Sequence, residues 1–351
     1  MARWSARPLT ALAAAAVPRV RSRRRRFRFE RALVPLILAP SLIAIAVFVY
    51  AFIVFTGWVS VSNWNTLKVD LSLNPAPLET YAHMFGMPSF QASFRNTIVF
   101  TVLFLGLSVG GGLGLALLLH HNIRGKAAFR SLFMFPYALS FVVTGVVWRW
   151  LFNPETGINT LFDITGVNGV LSTLGIGPLH PGWLTDATVV GSVNDVLASV
   201  LPGAASLQIE FGIPMALIPV VIAAAWQLGG FAMAMYLAGL SAIPEDTMEA
   251  AEVDGATTWQ TYRRVVVPML LPVTISNLVL LGYTSLKIFD LVYVMSGVGP
   301  NFGTDVFGIF VFEETFKAGR YNLGAAASIV MLVLVCIFVV PYLVRNLRSL
   351  R

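Results

Sequence analysis

Charge is what this 351-residue chain lacks most: Asp, Glu, Lys and Arg make up 12% of it. A soluble domain carries about 25%. With 57% hydrophobic residues and a mean hydropathy of +0.77, there is too little polar surface to coat a soluble globule. The composition is that of an integral membrane protein. Cysteine is nearly absent: Cys336 stands alone, which excludes an intrachain disulfide and a cysteine-based metal cluster, and it reads as a small core hydrophobe. The four histidines, His83, His120, His121 and His180, show no metal-ligand spacing. No G-x-x-x-x-G-K-[S/T] phosphate loop occurs, so the chain has no nucleotide site of that kind. No nucleophile is spaced with a base as a catalytic set. The net charge of +7 does not mark a nucleic-acid surface, because ten of the 24 Lys and Arg lie within the first 31 residues.

What is present is long apolar runs. About 20 apolar residues cross the hydrocarbon of a bilayer. Six segments qualify: Ala32–Thr56, Thr97–Leu119, Ser131–Phe152, Ala216–Leu240, Leu270–Met295 and Leu323–Val344. The expected fold is therefore all-α and polytopic, with six transmembrane helices. The second segment carries Gly106, Gly110 and Gly114, a spacing that lets helices pack closely. With the N-terminus inside, 18 of 24 Lys and Arg fall on the inner side, against 6 of 17 acids. The positive-inside rule then puts both termini in the cytoplasm. The run Arg23–Arg26 belongs to a basic tail, residues 1–31. The apolar stretch after it is too long for a twin-arginine export signal, and no small-residue cleavage site follows. The tail reads as a cytoplasmic anchor that touches anionic lipid.

Between the fourth and fifth apolar segments lies a polar island. Pro244 suits the first position of a helix, with Glu245 and Asp246 behind it where the helix dipole favours acids. Gly255 is placed to end that helix in a left-handed conformation. Thr257 or Thr258 caps a second helix, in which Trp259, Tyr262 and Val266 form an apolar stripe. Read locally, this is either a solvated loop helix or a docking element. The charge count puts it in the cytoplasm.

The string Glu249-Ala-Ala-Glu-Val-Asp-Gly-Ala256, with Val-Val-Val-Pro268 at its far end and Leu240-Ser-Ala-Ile-Pro244 before it, resembles the cytoplasmic coupling loop of ABC-importer permeases. Val265 and Val267 stand where that family has Ile and Leu. The resemblance covers most of residues 90–345. It implies that Glu249, Ala250, Ala251, Asp254, Gly255 and Pro268 couple to a separate ABC ATPase dimer, which would use ATP and Mg, while this chain binds no cofactor, holds no metal and is not itself an enzyme. It also implies a second, homologous permease, an extracytoplasmic solute-binding protein, and a bacterial inner or plasma membrane as the location.

The fifth segment is the most polar span. Asn277, Tyr283, Lys287 and Asp290 lie in it, and the last three share one face of a continuous helix. Ionisable groups inside a membrane are costly and mark functional sites by default. The alternative is a Lys287–Asp290 pair that neutralises itself for structural reasons. Arg149, near the end of the third span, reads as snorkelling to the interface. The stretch Phe289-Asp-Leu-Val-Tyr-Val-Met-Ser-Gly-Val-Gly-Pro300 resembles the F-D-x-x-Y-x-x-T-x-G-G-P stretch of carbohydrate-type permeases, with Ser296 and Val298 as departures. That resemblance implies a sugar or oligosaccharide as cargo and makes Asn277, Tyr283, Lys287 and Asp290 candidate pathway residues. Trp148 and Trp226 could add aromatic faces. A glycerol phosphate ester, or an ion-gradient-driven secondary transporter, is the rival reading; the latter leaves the island unexplained.

The expected organisation is a tail (1–31), a first transmembrane helix with an external loop (32–92), a permease domain (93–345) and a short cytoplasmic tail (346–351). The permease domain includes a coupling loop (241–268) and an external insertion at about 188–212.

Overall fold

The computed structural model describes residues 26–120, 124–175, 177–195, 199 and 207–349. The Arg-rich run up to Arg25, His121, and residues 196–198 and 200–206 of the insertion lie outside the described residues. The chain divides into two units, residues 1–55 and 56–351.

In the first unit, α1 (Arg26–Ile45) carries Pro35 and Pro40 and leads through a π-helical turn (Ala46–Ala51) into α2 (Phe52–Ser60). The second unit continues with α3 (Glu79–Gly86), α4 (Pro88–His120), α5 (Lys126–Met134), α6 (Phe141–Leu151), α7 (Ile158–Ile164) and α8 (Val167–Thr173). A ribbon of two antiparallel strands, β1 (Val189–Val190) and β2 (Ile213–Pro214), closes the base of the insertion, with Val189 opposite Pro214. Then come α9 (Leu217–Ser241), α10 (Glu245–Val253), α11 (Thr258–Thr261), α12 (Leu271–Leu286), α13 (Asp290–Met295), α14 (Phe307–Phe312) and α15 (Tyr321–Ser349). The protein is all-α apart from that ribbon and one isolated bridge, among the described residues.

Four helical stretches are long and apolar enough to cross a membrane, and two bent helix pairs raise the number to six if each pair is one span. Six spans are reached on that condition, and the second bent pair, Thr258–Met269 with Leu271–Leu286 at 59°, reaches back into the island and stops short of the expected end of the fifth span at Met295. In the third, a 3-10 turn (Phe135–Ala138) and a break at Leu139–Ser140 separate α5 from α6, and the two halves differ in direction by 101°. Pro136 cannot donate to the preceding turn. Ser140 caps the new helix, accepting from Val143 N. The freed Leu139 carbonyl accepts from Gln227 Nε2 of α9 at 2.8 Å. A non-helical backbone is tolerated at membrane depth only where protein satisfies it in this way. The 11 residues of α6 rise about 16 Å, roughly half of a ~30 Å hydrocarbon layer.

The core is built around α9, which packs along α4 and also meets α5, α6, α12 and α13. Phe100, Phe104, Leu217, Val220, Met233 and Tyr236 are buried there. The close approach comes at Gly112: a Cβ on it would stand 2.6 Å from Ala232 Cβ and 2.9 Å from Met233 N. The glycine face expected at Gly106, Gly110 and Gly114 meets nothing within 4 Å. Three small residues at fixed spacing mark a face, but tertiary packing selected the neighbouring one. A second cluster, with Met84, Phe90, Phe307, Phe310 and Leu323, joins α3, α4, α14 and α15. Cys336, expected in the core, is exposed on α15.

Candidate functional site: the polar island and the fifth span

The island folds from purely local signals. Pro244 is the N-cap of α10 rather than its first residue, in extended conformation (ψ 137°), and Glu245 and Asp246 form the first turn. Gly255 ends the helix at φ +82°, where Ala256 N donates to Ala251 O at 3.0 Å and closes a Schellman-type turn. Thr257, not Thr258, caps α11. Gln260 N donates to Thr257 Oγ1, and Gln260 Oε1 accepts from Thr257 N at 2.8 Å, a complete capping box.

Most of the apolar anchoring follows the caps. Met248 and Tyr262 are half-buried against the core, and Thr261, Val266 and Leu270 are buried. The expected stripe of Trp259, Tyr262 and Val266 is not continuous: Trp259 is 71% exposed. A π-helical turn at Tyr262–Val266 adds a residue to the repeat and rotates the earlier face outward. No residue of α10 is buried. Glu249, Ala250, Asp254, Gly255 and Pro268 are exposed and Ala251 is half-buried. Val253, at 87% exposure, joins Trp259 as a large apolar side chain standing clear of the chain. The island is a rigidly capped, acid-faced projection with apolar contact points.

The fifth span does not hold its four candidates together. The continuous helix assumed for Tyr283, Lys287 and Asp290 is absent: α12 ends at Leu286, Lys287 to Phe289 are non-helical, and Asp290 opens α13. The shared face therefore does not form. Lys287 makes no ion pair with Asp290 among the described residues; its Nζ sits 4.0 Å from the centre of the Tyr283 ring. Asn277 is completely buried near the Tyr236 hydroxyl, which itself donates to Thr274 Oγ1 at 2.9 Å. Neither end of the Asn277 amide has a hydrogen-bond partner. Arg149 reaches Val294 O, the carbonyl near the end of α13, at 3.4 Å. Trp148 meets Trp226 edge to face at 5.6 Å and stacks on Phe152, which in turn contacts Trp183. Trp183 Nε1 donates to Asn159 Oδ1.

Sequence reasoning missed the polar end of α4, near the far end of α12 from the island. Asn96 Nδ2 donates to the carbonyls of Phe302 (2.6 Å) and Asp305 (2.7 Å). Thr97 Oγ1 accepts from Phe307 N, Arg95 donates to Glu210 O, and Gln91 accepts from Gln208 N. The Ser296–Pro300 segment bends back on Thr304, whose Oγ1 accepts from Ser296 Oγ and donates to Gly297 O. Gly299, at φ +69°, has no room for a side chain beside Thr304. The run Gln91, Ser93, Arg95, Asn96, Thr97 at the start of a greasy segment was the available signal.

Residues 103–349 match the model of a family described as the binding-protein-dependent transport system inner membrane component. The chain belongs to that family. It is a multi-pass permease subunit of an ABC importer, a transport component rather than a catalytic enzyme. It is 35% identical over 309 residues to a probable ABC transporter permease of Pyrococcus horikoshii, covering 88% of this chain and 93% of that protein. A xylose/arabinose import permease of Haloferax volcanii is 34% identical over 267 residues, 76% of this chain and 73% of its own. A trehalose/maltose transport system permease of Thermococcus litoralis is 28% identical over 313 residues, 88% and 91%. A bacterial ABC transporter involved in the import of the acidic polysaccharide alginate has the same fold (TM-score 0.66, 20% identity, 93% of this chain and 99% of that chain).

Proposed function

We propose that this permease passes a sugar or oligosaccharide from an extracytoplasmic binding protein into the cytoplasm, driven by a separate ATPase dimer that docks on the island. The single observation that carries the reading is the island itself: a helix with no buried residue that bears Glu249 and the exposed Val253, followed by Asp254 and, on the next capped helix, the exposed Trp259. Self-contained caps keep it folded while its apolar points stay available to another chain. In this reading the island and both termini face the cytoplasm of a bacterial plasma membrane, as the basic-residue count favours. ATP and Mg act on the ATPase chains, and a second homologous permease completes the pathway.

Sugar as cargo rests on the sugars that two relatives are named for importing and on aromatic faces such as Trp226. An anionic ester is disfavoured by the two nearest cations: Lys287 lies over Tyr283, and Arg149 over the Val294 carbonyl. Glu249, Ala250, Ala251, Asp254, Gly255 and Pro268 form the coupling surface. Of the pathway candidates, Tyr283, Lys287 and Asp290 are exposed within this chain, whereas Asn277 is enclosed. The test is uptake of labelled pentoses, maltose and trehalose by the reconstituted complex. Uptake that requires ATP, the ATPase and the binding protein is expected. Uptake by this chain alone on an ion gradient overturns the reading.

A further inference from the structure

Asp305 is a carboxyl group 2% exposed, in the connection between the fifth and sixth spans. Its Oδ1 has no hydrogen-bond partner. The charged groups around it do not neutralise it. On α4, Arg95 is committed to Asn96 Oδ1 and Glu210 O. After α14, Glu313 pairs with Lys317 at 2.7 Å and Glu314 with Arg320 at 2.6 Å, so the cations there are taken by the neighbouring acids. His83 of α3 acts on Glu314. The hydrogen-bonding side chain beside the carboxyl is Ser93, a neutral hydroxyl that also reaches Ser89 O at 2.9 Å. A buried carboxylate with one oxygen unpartnered and no cation paired to it is strongly disfavoured, whereas the neutral acid is tolerated.

The backbone of the same residue is one of the points that seat the connection on α4. Asn96 binds the Asp305 and Phe302 carbonyls, and Thr97 binds Phe307 N. The Ser296–Thr304 turn follows directly from α13, which packs on α6. Seating of this turn therefore positions two of the half-helices that make up the broken third and fifth spans.

We propose that Asp305 is a proton-controlled latch: as the neutral acid it lets the 296–307 connection stay seated on α4, and on ionisation it unseats the connection and slows transport. Burial holds its carboxyl well above the usual carboxylate range, against the lowering effect of Ser93 and with Glu313 and Glu314 pushing the same way. The sign follows from linkage. A carboxyl that keeps its proton longer when seated makes the seated state most stable below the ordinary carboxylate range, and that stability is lost as pH rises towards the raised value.

The experiment uses the whole importer complex and has two readouts. Hydrogen exchange of amides 298–307 is followed from about pH 5 to 9, with residues 153–160 as an internal control for the base-catalysed rise. In the wild type, 298–307 should gain exchange beyond the control as pH rises; in Asp305→Asn it should track the control. Tracking the control in the wild type itself overturns the latch, and this arm needs no variant. The second arm is uptake against pH on that side of the membrane, and it alone rests on the transport reading. A several-fold wild-type decline that Asp305→Asn abolishes is expected; the same decline in Asp305→Asn overturns the latch. Absence of uptake in every protein, with the exchange difference intact, counts against the transport reading and leaves the latch standing.

Discussion

The island and the seated connection at the far end of α12 are two polar regions of an apolar chain, and they are held in opposite ways. In the island every special bond spans at most five residues: Ala256 to Ala251, Thr257 to Gln260 and back. The connection has local turn bonds too, but those that seat it on α4 are long-range, from Asn96 to Phe302 and Asp305 and from Thr97 to Phe307. The first region can fold and keep its shape while its partner comes and goes. The second is held by the rest of the bundle and moves only with it. In the proposed function the first would receive force and the second would transmit position, and these two kinds of bond suit those roles.

Substitutions can break that contrast, and the largest effect belongs to the island. Gly255→Val puts a β-branched residue at φ +82° with nothing around it to collide with. The backbone penalty is about 1–2 kcal/mol, roughly tenfold in the turn's equilibrium, and it falls on the residue that orients α10 against α11. Uptake should fall by at least that factor while the amount of protein in the membrane is unchanged, as measured by transport and immunoblot together. Asn96→Leu attacks the connection instead. It leaves the buried Asp305 carbonyl without its donor, worth about 1–3 kcal/mol, and the Phe302 carbonyl with only Asp305 N, and should lower the thermal midpoint of the purified complex with no effect on island exchange. Gln227→Leu exposes the same logic inside the membrane: the Leu139 carbonyl loses its donor, with a destabilisation of about 1–3 kcal/mol read from the same melt. The smallest effect is Thr257→Ala, about 1 kcal/mol, expected as faster hydrogen exchange at 258–261 and little change in the global midpoint. If Thr257→Ala lowered the global midpoint as far as Asn96→Leu does, the contrast between a locally held island and a bundle-held connection would fail.

The same contrast explains what could be read from the sequence. The island was legible almost to the residue, since caps, a left-handed glycine and first-turn acids are decided by near neighbours. The errors there, Pro244 by one position and Trp259 by a face, come from a one-residue turn shift and a π bulge. The four straight apolar spans were legible as well, because hydrophobic length alone decides them. The breaks in the other two were not. Leu139 and Ser140 read as ordinary span residues, and the donor that makes the break tolerable, Gln227, lies 88 positions away. Likewise Lys287 and Asp290 share a face only if α12 continues, and glycine spacing cannot say whether Gly110 or Gly112 meets α9. Facing is a tertiary property, and the pathway residues depend on it more than the coupling residues do.

The account's central claim is that the island transmits ATP hydrolysis to the spans. It is tested most directly by ATPase activity in proteoliposomes carrying the complete complex, with and without sugar-loaded binding protein, for wild type and Gly255→Val. The account predicts strong stimulation in the wild type and none in Gly255→Val, although all subunits remain in the membrane. Full stimulation and full uptake in Gly255→Val would contradict it.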